Sequence, residues 1–121
     1  MIDTRDVANA AARIIQKKEL QNAAYELTGA EALGFPDVAE TFSKVLGRKI
    51  SYVALDATTL RSNVAARVPS WLADVVVGID LAIEAGLQSR VTDTLESLTG
   101  SAPRSLANFI RDNKTAFSAA A

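Results

Sequence analysis

The side chains that most often carry enzyme chemistry are scarce in this chain. Its 121 residues include no cysteine and no histidine, which excludes a thiolate zinc site, a cysteine nucleophile and a Ser-His-Asp triad. The six glycines are scattered, and none falls into the spacing of a loop that cradles a dinucleotide or a triphosphate. The sequence therefore predicts no catalytic residue, no metal ligand and no cofactor-binding residue in the isolated chain.

The carboxylates allow two interpretations. Asp3, Arg5 and Asp6 form a tight charged cluster that could mark the mouth of a pocket. Carboxylates are also favoured at a helix start, where they cap backbone N–H groups and offset the helix dipole, and we expect this second role. Glu26 and Glu31 lie near the end of a predicted strand, where ligands bind in open α/β folds. A catalytic acid there would need a raised pKa, and solvated carboxylates are the commoner case.

Three aromatic side chains are the candidates for binding a small molecule. Trp71 follows Pro69-Ser70 at the start of a predicted helix, whereas Tyr25 and Tyr52 lie in predicted strands. Ligand pockets are commonly lined by aromatic side chains, although a tryptophan in this position is more often an anchor in a core or an interface. Tyr25, Tyr52 and Trp71 form our candidate substrate-side pocket.

Composition and charge exclude several classes of partner. Thirteen basic and 14 acidic residues leave a net charge of -1, without the basic field that nucleic acid or anionic lipid attracts. The longest apolar run, residues 75–79, is far shorter than the ~20 residues that span a bilayer. Charges begin at Asp3, so we expect no signal peptide at this N-terminus. We therefore expect a cytoplasmic protein with no nucleic-acid or membrane partner.

The elements that must position these side chains are mostly helical. Apolar periodicity and capping residues predict about six helices, and they begin near Thr4, Pro36, Thr58, Trp71, Asp93 and Pro103. Gly47 and Gly100 are expected to end helices in the left-handed conformation. The apolar residues of the helix that begins at Trp71 cover an arc of roughly 160°, which indicates burial against more than one neighbour.

Two short strands complete the prediction. Residues 24–28 and 50–55 are rich in strand-forming side chains, and a helix separates them. That order is typical of a βαβ unit with parallel strands. The fold class is therefore α+β or small α/β, dominated by helices. We expect residues 1–117 to form a single lobe and residues 118–121 to be a frayed tail.

A family resemblance rests on several segments that occur in one order. They are Ile2-Asp3-Thr4-Arg5-Asp6-Val7-Ala8, Tyr25-Glu26-Leu27-Thr28-Gly29, Glu31-Ala32-Leu33, Leu46-Gly47-Arg48 with Ile50 and Tyr52, Pro69-Ser70-Trp71-Leu72, Val91-Thr92-Asp93, Leu98-Thr99-Gly100 and Pro103-Arg104-Ser105. Together they resemble the C-terminal half of the NmrA-like family, atypical short-chain dehydrogenase/reductases that bind NAD(P). The resemblance covers residues 2 to about 117.

The resemblance implies a lobe on the substrate side of a nicotinamide cleft. The family's glycine-rich phosphate turn belongs to its N-terminal half, which has no counterpart in these residues. NAD(P) is thus implied for the family, and no cofactor-binding residue carries over to this chain. The surface that would face the other half is expected to be apolar, which predicts a homodimer or a separate nucleotide-binding subunit as partner.

Three functions follow as hypotheses. The first is the substrate-side lobe of an NmrA-like NAD(P)-dependent oxidoreductase or redox sensor, inactive as a catalyst by itself. The second is a stand-alone dimeric module that binds a small ligand or a protein. The third is a truncated relic that folds without activity.

Overall fold

A computed structural model of the chain describes residues 1–118, and helices dominate it. Short irregular segments connect the helices. The elements are α1 (Thr4–Gln16), a 3-10 turn (Lys18–Leu20), α2 (Phe35–Leu46), α3 (Ala57–Ala65), α4 (Ser70–Glu84), α5 (Thr94–Thr99), α6 (Leu106–Asp112) and α7 (Lys114–Ser118). The predicted helix-dominated class is confirmed.

The two predicted strands do not form. Between residues 1 and 118 no segment adopts strand structure, and residues 24–28 and 50–55 are irregular. The predicted βαβ unit is therefore wrong. A strand requires a neighbour with which to exchange backbone hydrogen bonds. The first segment is instead held by side chains, since the Thr92 N–H donates to Thr28 Oγ1 at 2.9 Å and Thr92 Oγ1 donates to the Glu26 carbonyl at 3.0 Å.

Capping residues explain several helix ends. The carboxylates of Asp3 and Asp56 accept backbone N–H groups at the starts of α1 and α3, and the Ser105 hydroxyl accepts the N–H of Asn108 in α6 at 3.2 Å. Gly47 and Gly100 follow α2 and α5 with φ of 71° and 72°, the left-handed conformation that glycine adopts without strain.

Some predicted helix ends were displaced. The third helix begins at Ala57 after its cap Asp56, slightly before the predicted Thr58, and α6 begins at Leu106 rather than near Pro103. A further helix, α7, was not predicted. In both cases the residue whose side chain caps the helix lies within a few positions of the expected helix start.

The described chain groups into two compact units. The first unit contains residues 1–51 and the chain from residue 90, and in it α1 packs against α5. Ala10 of α1 meets Leu95 and Leu98 of α5 in a buried cluster. Around this cluster lie half-buried apolar side chains, namely Ile14, Leu20, Tyr25 and Leu27.

A second packing centre of the same unit joins α2 to α6 and α7. The ring of Phe117 lies edge-on to Phe42 at 5.1 Å and to Phe109 at 6.2 Å between centroids. Such edge-to-face pairs add about 0.5–1.5 kcal/mol beyond the burial of their area. Ile110 is fully buried in α6.

The second unit, residues 52–89, consists of α3 paired with α4. An ion pair of 2.6 Å joins Arg61 of α3 to Asp74 of α4. Ala73 is fully buried, but much of the broad apolar arc predicted for α4 is exposed. The exposed large apolar side chains of the unit are Tyr52, Val53, Leu55, Trp71, Val75, Ile79, Leu81 and Leu87.

The single lobe predicted over residues 1–117 stays a prediction about domain organisation. Of the tail predicted at residues 118–121, Ser118 ends α7, and residues 119–121 lie outside the described residues. No helix among the residues described has both the length and the apolar character that crossing a membrane requires.

Candidate functional site

An apolar cavity of about 430 Å³ opens beside the first turn of α1, within the first unit. Its walls combine the start of the chain, the segment before α2, and the start of α6. They comprise Met1, Ile2, Asp3, Thr4, Ala30, Glu31, Leu33, Arg104, Ser105, Leu106 and Phe109. Cavities of about 300–1,000 Å³ with apolar walls and a few polar groups are typical of small-molecule sites.

Gly29 creates one wall by letting two backbone segments touch. The residue is buried, and a Cβ atom placed on it would overlap the carbonyl oxygen of Met1. Any side chain would therefore push the chain start away from Ala30 and Glu31, which line the cavity together with Ile2. The glycine that closes the Tyr25–Gly29 segment is thus required by close backbone approach.

The opposite wall is the beginning of α6. Leu106 and Phe109 are three positions apart, so both face the cavity from one side of the helix. The Phe109 ring also packs against Phe117, with 6.2 Å between the ring centroids. Ser105 has two roles here, because its side chain caps α6 and the residue also lines the cavity.

Asp3 anchors the base of the cavity. Its buried carboxylate accepts the backbone N–H of Arg5 at 2.8 Å and three bonds from the Arg5 guanidinium, from Nε at 3.0 and 3.2 Å and from Nη2 at 2.6 Å. Hydrogen bonds from Arg5 lower the pKa of Asp3 to about 2. Arg5 also donates to Asp112 at 2.8 Å, and the two carboxylates raise the pKa of Arg5. The predicted capping role of Asp3 is confirmed, and Asp3 also lines the cavity.

Asp6 and Arg104 form the second charged pair. The buried carboxylate of Asp6 accepts the Arg104 backbone N–H at 2.7 Å and a further bond from the Arg104 guanidinium. These bonds tie the first turn of α1 to the loop before α6. They leave Nε and Nη2 of Arg104 without a bond to any described residue, at a position that lines the cavity.

The residues of this site offer groups that can bind and orient a ligand. Donors and acceptors for orienting a ligand come from Thr4, Glu31, Arg104 and Ser105. Within residues 1–118 no group of three or more acidic side chains is placed to hold a metal ion. The described residues can therefore enclose an apolar molecule and hydrogen-bond its polar edge.

The three aromatic residues of the predicted pocket lie elsewhere. Tyr25 is half-buried against the core of the first unit, and its hydroxyl donates to the Leu20 carbonyl at 2.9 Å. Tyr52 and Trp71 belong to the second unit, where they are 47% and 66% exposed. None of the three lines the cavity described above, so a shared pocket of Tyr25, Tyr52 and Trp71 stays a prediction.

Sequence reasoning missed Arg104 and Leu33 as site residues. Arg104 has no local signature, because the carboxylate that orients it lies 98 positions away. Leu33 follows the turn at Gly29 and reads as an ordinary loop leucine. The available signals were the charged cluster at Asp3 and Asp6, which the sequence allowed as the mouth of a pocket, and Glu31, which the sequence placed near a possible ligand edge and which lines the cavity.

No family model matches this chain, but individual proteins do. It is 34% identical over 114 residues to agroclavine dehydrogenase of Claviceps fusiformis, with 93% of this chain and 39% of that protein covered. It is 32% identical over 120 residues to the NAD(P)H azoreductase of Xenophilus azovorans, with 98% of this chain and 42% of that protein covered.

Two solved structures of oxidoreductases also match most of this chain. The triphenylmethane reductase of Citrobacter sp. in complex with NADP(H) matches with a TM-score of 0.80 and 26% identity, over 92% of this chain and 39% of that one. An NADPH-dependent quinone oxidoreductase of Escherichia coli also has a TM-score of 0.80 and 26% identity, over 90% and 40%. The chain spans about two fifths of the length of these proteins, and it is related to part of NAD(P)-dependent oxidoreductases.

Proposed function

We propose that this chain is the substrate-side part of an NAD(P)-dependent oxidoreductase of the NmrA-like kind. The observation that carries the proposal is the match of nearly the whole chain to about two fifths of agroclavine dehydrogenase. The TM-score of 0.80 against a reductase in complex with NADP(H) supports it. The chain corresponds to the C-terminal part in our proposal, because the segments from Ile2 to Ser105 follow that part's order.

The nucleotide is held by another part of the enzyme in this proposal. The chain lacks a glycine-rich turn, and such turns bind the phosphates of dinucleotides in this class of fold. The nucleotide-binding part belongs to the same polypeptide or to a separate subunit. When bound there, the nucleotide supplies the hydride, and the residues of this chain position the acceptor.

The cavity beside α1 suits a conjugated, largely apolar acceptor. Leu33, Leu106 and Phe109 offer an apolar surface for a ring system. Arg104 can donate a hydrogen bond to a carbonyl oxygen or a ring nitrogen at the edge of that ring, where negative charge grows as hydride arrives. Relatives named for azo, triphenylmethane and quinone substrates support this chemical class.

A second candidate is a stand-alone dimeric module. The observation that favours it is the exposed apolar face of α4, where Trp71, Val75 and Ile79 follow one another at intervals of four residues. In this candidate function a second copy of the chain covers the face. Trp71 and Tyr52 would then contribute to that contact or to a ligand site formed by it.

Two measurements separate these functions. The first is native mass spectrometry of the protein from its host, which reports either a homodimer or a complex with a nucleotide-binding part. The second is an assay of NADPH oxidation with a quinone, and the oxidoreductase proposal expects activity of the complex but not of the isolated chain. Micromolar NADPH binding by the isolated chain would contradict the assignment of the nucleotide to another part. A nucleotide-binding complex that oxidises no NADPH with azo, triphenylmethane or quinone acceptors would contradict the oxidoreductase.

The cavity is tested by equilibrium dialysis of the purified chain with a triphenylmethane dye. Leu33→Trp fills the cavity and should weaken binding by about tenfold or more. Ile15→Ala is the matched control, because Ile15 is 74% exposed on α1 and lies outside the cavity lining. Equal affinity of L33W and the unaltered chain would place the dye elsewhere.

A further inference from the structure

A second cavity of about 410 Å³ lies along α1 and differs from the first in its chemistry. It is bounded by α1, α5 and the loop between α5 and α6, all in the first unit. Its lining comprises Asp6, Asn9, Ala12, Arg13, Gln16, Leu95, Thr99, Ser101, Ala102 and Arg104. Most of these side chains are polar, which makes the cavity unlike an apolar substrate pocket.

The polar side is built by one face of α1. Asn9, Arg13 and Gln16 are spaced by four and three positions, so their side chains form a single row along the helix. The accessible apolar lining comes from Ala12 and Ala102, and the nearly buried Leu95 of the core cluster closes the base behind them. The cavity thus combines a row of hydrogen-bond donors with an apolar base.

Charge in this cavity is uneven. The carboxylate of Asp6 is paired with Arg104, so these two side chains neutralise each other. The side chain of Arg13 makes no hydrogen bond or ion pair with any residue between positions 1 and 118, and it is exposed. One positive charge is therefore uncompensated, and it lies between the side-chain amides of Asn9 and Gln16.

We propose that this cavity binds a small organic anion, with a carboxylate or phosphate group on Arg13 and an apolar body against Ala12 and Ala102. The planar guanidinium of arginine presents paired N–H donors that match both of these anions. The amides of Asn9 and Gln16 supply further donors beside it. A basic residue in the last turn of a helix is also favoured by the helix dipole, but the dipole does not account for the cavity or for the flanking amides.

The site is independent of the proposed oxidoreductase function. It shares Arg104 with the first cavity, but its charge comes from Arg13, which lines only the second. A failure to reduce any acceptor would therefore leave this proposal unaffected. Equally, loss of anion binding would say nothing against the apolar cavity.

The test is a ¹⁵N NMR titration of the purified chain with phenyl phosphate, benzoate and inorganic phosphate, with benzyl alcohol as the neutral probe. We expect saturable shifts at the Arg13 Nε–H and at the side-chain amides of Asn9 and Gln16. Arg13→Gln should weaken binding by about tenfold or more. Arg67→Gln is the control, because Arg67 is an exposed arginine of the second unit.

The probes distinguish the source of the anion. Tighter binding of phenyl phosphate than of benzoate assigns a phosphate ligand, and the reverse assigns a carboxylate. The melting temperature of R13Q should stay close to that of the unaltered chain, which shows that the variant is folded. Unchanged affinity in R13Q, equal binding of benzyl alcohol, or shifts confined to other residues would overturn the proposal.

Discussion

Asp6 holds Arg104 by both backbone and side chain, although 98 positions separate them in sequence. The backbone N–H of Arg104 donates to the Asp6 carboxylate at 2.7 Å, and the guanidinium donates to its other oxygen. Because Arg104 lines both cavities, this pair positions a side chain that they share. It links the start of α1 to the loop that leads into α6.

Asp6→Asn should therefore destabilise the fold. The amide keeps the shape of the carboxylate but loses its charge and one acceptor, so the bonds from Arg104 weaken or break. Since hydrogen bonds to charged groups contribute about 1.5–3 kcal/mol and Arg104 is partly solvated, we expect a loss of about 1–3 kcal/mol. Urea unfolding measures it. Glu40→Gln is the control, because its exposed pair with Lys44 on α2 is worth at most about 0.5 kcal/mol.

Gly29→Ala should disturb the apolar cavity by displacing the chain start, which forms part of its wall. The added methyl group would overlap the Met1 carbonyl, so the chain start must move. We expect a loss of about 1–3 kcal/mol and weaker dye binding, measured by unfolding and dialysis. Gly78→Ala is the matched change, since nothing lies near its Cβ position in α4 and the helix should gain about 0.5–1 kcal/mol. Equal stability of G29A and the unaltered chain would argue against the close approach.

Acid should destabilise the fold in part through Asp3. Its pKa is lowered from 3.8 to about 2, so the unfolded chain binds more protons than the folded chain between these values. The contribution of Asp3 is therefore complete above the unfolded pKa and is lost as the pH falls through the folded pKa. Melting temperatures between pH 2 and pH 5 measure this effect. Asp3→Asn should be less stable at pH 5 and show a flatter profile, and parallel profiles for both proteins would contradict the prediction.

Trp71 reports on the exposed face of α4. It is the single tryptophan of the chain and is 66% exposed, so we expect emission typical of hydrated indole and efficient quenching by acrylamide. If a second copy or a nucleotide-binding part covers this face, emission should shift to the blue and quenching should fall as the complex forms. Protection that is already complete in a monomer would contradict the exposure of Trp71.

Local features were predictable from the sequence because they depend on neighbours along the chain. Helix periodicity, the Asp3 cap and the helix ends at Gly47 and Gly100 each depend on residues within a few positions along the chain. The lack of histidine, cysteine and a phosphate-binding turn is also a property of composition. These features indicated a mostly helical chain without a phosphate-binding turn, whereas the relation to an oxidoreductase was implied by the family resemblance of its ordered segments.

Tertiary structure decided everything that depends on distant partners. Residues 24–28 have the composition of a strand, but a strand exists only where another segment offers its backbone, and here Thr92 bonds instead to Thr28 and Glu26. The approach of Gly29 to Met1 and the pair of Asp6 with Arg104 likewise depend on the path of the chain. Both cavities arise from such contacts, because a concave site requires walls from segments that are remote in sequence.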